Sequence, residues 1–151
     1  MIARSPDTLQ SKGCSAIAPA FIWPIRVYWE DTDAGGVVYH ASYLRFLERA
    51  RSEWLRALGH GQDALRERDG VMFVVRAMRL DFLQPARLDD ELIVTVALAG
   101  RKRASFVMHQ TILHGDQLLL DAEVKVACVA AANFRPRALP ETLCAAMTEP
   151  E

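Results

Sequence analysis

Residues 41–58 read ASYLRFLERARSEWLRAL, and this run decides the fold. Tyr43, Leu47, Ala50, Trp54 and Leu58 recur at steps of four, three, four and four, the spacing that lays side chains along one stripe of an α-helix. Arg45, Arg49, Ser52, Glu53 and Arg56 fall largely outside that stripe. Arg49 and Glu53 stand four apart and can pair, an exposed interaction worth only about 0.3–0.5 kcal/mol. Gly59 follows where a helix C-terminal glycine belongs. A long helix with one apolar stripe must bury that stripe against another layer.

Working outward, residues 62–68 read as a second, short helix, and after Gly70 the apolar period changes from helical to two. Strands are expected over 72–82, over 91–99 with Gly100 as terminator, over 103–113, and over 117–130. The last alternates most cleanly, with Leu120, Ala122, Val124, Val126 and Cys128 interleaved with Asp121, Glu123 and Lys125. His114-Gly115-Asp116 is a tight-turn signal. Upstream of the helix, residues 25–30 (IRVYWE) form the first strand candidate, with Pro24 ahead of it. From Pro136 the chain reads as a loop with a short terminal helix. The order is strand, long helix, then four strands on short connections, which force antiparallel neighbours. The fold class is therefore α+β: one long central helix wrapped by a five-strand antiparallel sheet. Residues 1–20 read as a disordered extension, 21–145 as the folded domain and 146–151 as a tail. Such a sheet leaves open edges, so a homodimer or homotetramer is expected.

The chain has 151 residues, 51% apolar and 25% charged, with a net charge of -1. That is ordinary single-domain globular material, without the concentrated basic field a nucleic-acid or anionic-membrane partner needs. Cys14, Cys128 and Cys144 are odd in number and lack metal-ligand spacing, so neither a disulfide framework nor a zinc site is expected. Cys128 reads as a small core residue. No run reaches the roughly 20 apolar residues of a membrane span, and Arg4, Asp7, Gln10 and Lys12 interrupt any signal-peptide pattern. The expected location is the cytoplasm.

Immediately before the helix stands Asp31-Thr32-Asp33-Ala34-Gly35-Gly36-Val37-Val38-Tyr39-His40. A helix start presents unpaired N–H groups and about half a positive charge, which polarise a carbonyl and stabilise an oxyanion. A carboxylate beside it can activate water or attack directly. Two plainer readings stand beside this one. Asp-x-Asp before a glycine turn is common loop chemistry, and calcium is a third reading, although the terminal Glu of a calcium loop is missing.

RVYWEDTDAGGVVYHASYLRFLERAR, continuing through FVVRAMRLDFLQPARLDDEL and PRALP, closely resembles the YbgC-like branch of the 4-hydroxybenzoyl-CoA thioesterase family. The likeness covers about residues 22–143. It implies a hotdog fold, active sites at a dimer interface, and hydrolysis of acyl-CoA or acyl-carrier-protein thioesters without metal or redox cofactor. It implies that Asp33 is the essential carboxylate and that His40 marks the helix start where a backbone N–H polarises the thioester carbonyl. It also implies a link to the Tol-Pal envelope system. Relatives often carry a second tyrosine where this chain has Trp29, which lacks a hydroxyl.

Arg101, Lys102 and Arg103 form a basic hairpin, read either as a solvated turn or as a site for CoA phosphates or an acidic carrier protein. Glu48, His60, His109 and His114 read as structural or exposed. Two rival functions share this outline: a hotdog dehydratase or hydratase, and a non-catalytic acyl-carrier or envelope-protein binding module.

Overall fold

The apolar stripe forms α1 (Ser42–Ala57) in a computed structural model that describes residues 21–147. The extension assigned to 1–20 and the end of the tail lie outside the described residues. Tyr43, Phe46, Leu47, Ala50, Trp54 and Leu55 are buried along one side of α1. Each large apolar side chain so buried stabilises by about 1.5–3 kcal/mol, far more than any pair on the polar face. Glu53 pairs with Arg56 instead of Arg49, a choice worth a few tenths of a kcal/mol either way. Gly59 adopts a φ of 83° and lets the His60 N–H return to the Leu55 carbonyl at 2.9 Å, closing the helix with a left-handed cap. The second helix runs over the expected stretch, as α2 (Gln62–Ala64) that widens at once into a π-helical turn over Leu65–Asp69.

The five strands are β1 (Phe21–Arg26), β2 (Val71–Phe82), β3 (Glu91–Arg101), β4 (Ser105–His114) and β5 (Gln117–Ala130). They form one antiparallel sheet in the order β1-β3-β4-β5-β2. Alternate residues build the face that covers α1, notably Leu92 and Val94 of β3, Met108 and Ile112 of β4, and Leu120 and Val124 of β5. α3 (Glu141–Ala146) closes one end with Leu143, and Met147 after it is also buried. This is the hotdog arrangement. Among the described residues no helix is long and apolar enough to cross a membrane.

Three strands differ from the sequence reading by more than one residue. β1 begins at Phe21 and stops at Arg26, because Asp31 accepts the Tyr28 N–H at 2.9 Å and curls Trp29–Asp31 into a single 3-10 turn. Pro24 is tolerated inside β1 because an edge strand has one neighbour only. β3 runs through Gly100, where the register shifts between Leu98 and Gly100, a bulge that a glycine accommodates. β4 starts at Ser105, since the Lys102 N–H bonds to the Ser105 carbonyl at 2.8 Å and turns the chain.

Chain direction sorts the loops to two ends. The pairing of Arg26 with Glu91, and of Phe82 with Leu120, puts the ends of β1 and β2 and the start of β3 at one end. The segment from 27 to 41 leaves from there. The β3–β4 turn lies at the other.

Candidate active site

The segment before α1 is a tight hairpin. Thr32 and Val38 bridge antiparallel, the Asp33 N–H bonds to the Val37 carbonyl at 3.0 Å, and the Gly36 N–H returns to the Asp33 carbonyl at 3.0 Å. Gly36 has a φ of 79°, a conformation side chains resist. Gly35 donates its N–H to Asp33 Oδ1 at 2.8 Å, and a Cβ there would approach that same oxygen to 3.0 Å. The two glycines therefore let the turn fold against the carboxylate that it holds.

Three anchors fix this hairpin to the core. The Val38 N–H bonds to the Ala86 carbonyl at 2.8 Å, and the Ala86 N–H in turn donates to the Tyr43 hydroxyl at 3.0 Å. Tyr39 N–H donates to the Asp31 carbonyl at 2.8 Å. Asp31 itself is buried and meets Arg45 of α1 at 3.5 Å. Asp31 thus ties the hairpin to α1.

Asp33 is exposed and lines an open cavity of about 520 Å³ with Trp29, Thr32, Ala34, Gly36 and Leu88. Burial raises the pKa of Tyr43; the Ala86 bond opposes this, and the charges of Asp90 and Asp33 add to it. No side chain caps the start of α1: Ala41 precedes it, and no side-chain hydrogen bond closes it. The Ser42 and Leu44 N–H groups bond to the Tyr39 and Ala41 carbonyls at 2.8 and 3.2 Å, while the partial positive charge of the helix start remains.

His40 is exposed one residue before that cap, its ring 4.5 Å from Tyr39 and 6.5 Å from Phe82 at the end of β2. The chain brings Asp33 and His40 into one hairpin, but no hydrogen bond joins them among the described residues. Arg101, Lys102 and Arg103 are exposed at the opposite end of β3. Eleven residues of strand put them roughly 30 Å from Glu91. A single chain does not bring them to Asp33.

A model of the thioesterase-like superfamily matches residues 27–147, which includes the hairpin, α1 and the whole sheet but for β1. The chain belongs to that superfamily. Within the thioesterase-like proteins it is 49% identical over 126 residues to the acyl-CoA thioester hydrolase YbgC of Escherichia coli, covering 83% of this chain and 93% of the relative. It is 45% identical over 126 residues to the acyl-CoA thioesterase YbgC of Haemophilus influenzae, with the same coverage, 83% and 93%. Among solved structures, a probable thioesterase from Bartonella henselae superposes with a TM-score of 0.77 at 42% identity, covering 80% of this chain and all of that one.

This thioesterase-like chain also holds two residues that motif reading passed over. Arg51 is buried within the apolar side of α1, and its Nη1 donates to Gln110 Oε1 at 3.0 Å. Gln110 Nε2 donates to the Leu47 carbonyl at 3.1 Å. A signal was present: Arg51 stands four residues after Leu47 and three before Trp54, inside the stripe. Other polar side chains have partners within the fold. His109 meets Asp121 at 2.8 Å, His60 is buried against Arg68 at 3.0 Å, and Glu48 accepts from Ser52 at 2.8 Å. Burial pushes the Cys128 thiol up to about 11, so it is a core residue and no nucleophile.

Proposed function

We propose that this chain hydrolyses acyl-CoA thioesters to the free acid and the CoA thiol, and accepts acyl-carrier-protein thioesters as well. The observation that carries this reading is Asp33: an exposed carboxylate, held by the Gly35 N–H in the tight hairpin that leads into α1. The thioester carbonyl sits against the N–H groups at His40 and the first turn of α1, which stabilise negative charge on its oxygen. Asp33 then attacks the carbonyl carbon to give an anhydride that water cleaves, or it takes a proton from water as that water attacks. Either route breaks the C–S bond, and water supplies the new acid oxygen. The thiol leaves as thiolate, which needs little protonation because a thiol pKa is about 8.5. That is why one carboxylate and backbone N–H groups suffice. A panel of acyl-CoA and acyl-carrier-protein esters, run on wild type and Asp33→Asn, tests the reading; equal rates for the two proteins would overturn it.

The roughly 30 Å between Asp33's end of β3 and the basic turn supports assembly from more than one copy. We assign Arg101, Lys102 and Arg103 to the nucleotide phosphates of a CoA whose thioester lies at the Asp33 of another subunit. Arg101→Ala with Arg103→Ala should raise KM for CoA esters about tenfold, the scale of one lost charge-assisted bond, with kcat unchanged. An unchanged KM at low salt would remove this role.

A homodimer or homotetramer fits the outer edge of β2, a 12-residue strand with no neighbour on that side. Among the described residues nothing covers Val75 and Phe82 on its α1-facing side or Leu83 just beyond it, and all three are exposed. An open, apolar edge of this length invites pairing. Sedimentation at micromolar concentration should give a dimer or tetramer mass, and a monomer mass would contradict the assembly. The free thiols of Cys128 and Cys144 suit a reducing compartment, and we place the enzyme in the cytoplasm.

A further inference from the structure

Between α1 and β2 lies a cavity of about 200 Å³, lined by apolar side chains on the sheet side and by Glu48, Arg51 and Gln62 as its polar groups. Trp54, Phe73, Val75 and Phe106 line it; Arg51 enters from the helix, and Glu48 stands at its rim. A buried guanidinium is expensive unless its charge is answered. Arg51 is only 8% exposed, and its one side-chain hydrogen bond is to the neutral Gln110. Among the described residues it makes no ion pair. Burial lowers the pKa of Arg51 and the charge of Glu48 only partly opposes this; Glu48 is exposed and accepts from Ser52 at 2.8 Å.

A guanidinium carries five N–H donors, and Gln110 takes one. No fully buried side-chain nitrogen lacks a partner. The remaining nitrogens of Arg51 therefore open onto the cavity or onto the groove beside it, which Leu44, Arg45 and Met78 line.

From the cavity, one face of β2 leads toward the helix start. Phe82, Leu80, Met78, Val75 and Phe73 pair with Leu120, Ala122, Val124, Val126 and Cys128, all core residues, so they share the face toward α1. Phe82 lies 5.8 Å from Tyr43 and 6.5 Å from His40, ring to ring. A row of apolar side chains thus runs from the helix start toward Arg51, nine residues and about 14 Å further along α1. The arginine side chain leans back toward the helix start, which shortens the gap.

We propose that Arg51 is a specificity residue of the acyl pocket, and that the preferred acyl groups carry an oxygen acceptor, a carboxylate or a hydroxyl, at their far end. The inference rests on the thioesterase reading. The apolar row accepts the chain, and the open N–H groups of Arg51 require an acceptor that a terminal methyl cannot supply.

The test compares kcat/KM for CoA esters of matched chain length ending in methyl, hydroxyl or carboxylate. Wild type should favour the hydroxyl end over methyl by about tenfold, the value of one hydrogen bond to a charged group. The carboxylate end should gain more, because it also answers the charge. Arg51→Met should level the three, and Arg51→Lys should keep part of the carboxylate preference. Should Arg51→Met fail to fold, the wild-type ratios still decide. Preference for the methyl end at every length overturns the inference and leaves the thioesterase reading standing, as do equal ratios in wild type and Arg51→Met. Hydrolysis of none of the esters overturns both.

Discussion

Replacing Asp33 by asparagine is expected to lower kcat for acyl-CoA hydrolysis by two orders of magnitude or more, the usual cost of losing a general base or nucleophile. The substitution isolates charge from shape. Asparagine retains an acceptor for the Gly35 N–H, now met at 2.8 Å, so the turn around Gly36 should persist. Asp33 is exposed, and surface changes of this kind stay within about 0.5 kcal/mol of wild type. An unchanged thermal midpoint with a collapsed kcat would therefore place the defect in the chemistry. KM should move little, because the carboxylate acts on the reacting carbon and not on the CoA. A loss smaller than tenfold would mean that the helix start alone drives the reaction.

The legible parts of this fold were those whose period is written locally. The stripe from Tyr43 to Trp54 and the alternation from Leu120 to Cys128 each repeat several times within one element. β1 was misplaced because a side-chain bond decides its end: Asp31 captures the Tyr28 N–H and turns a stretch that composition favours as strand. Gly100 was read as a stop, whereas pairing with β4 carries β3 past it through a bulge. Sheet order could not be read locally either, since β1 pairs with β3 and β2 with β5 across intervening elements.

The site divides in the same way. Asp33 and His40 share one hairpin, so a motif announces them together. Arg51 and Gln110 are 59 residues apart and meet only because β4 packs on α1. The distance between the basic turn and Asp33 follows from the direction of β3, which no local pattern gives.

Gln110→Leu should destabilise the protein by about 3 kcal/mol, the scale of leaving a buried charge without its partner. Gln110 is fully buried and joins three elements: it accepts from Arg51 and donates to the carbonyls of Leu47 and, at 3.4 Å, Thr95. Leucine matches it in bulk, so packing changes little, and the lost terms are polar. In thermal unfolding the loss corresponds to a fall of about 10 °C for a chain of this size. The second half of the prediction is a recovery. Arg51→Met with Gln110→Leu removes both partners together, and an apolar pair of similar volume in a buried site is often neutral or better. The double variant should regain most of the lost stability, with a coupling above about 1 kcal/mol in a double-mutant cycle. Additive losses in urea unfolding would show that the guanidinium escapes to solvent when Gln110 is gone. Recovery of stability together with loss of discrimination among acyl ends would separate the two duties of Arg51: the fold tolerates its removal once Gln110 goes too, and substrate choice does not.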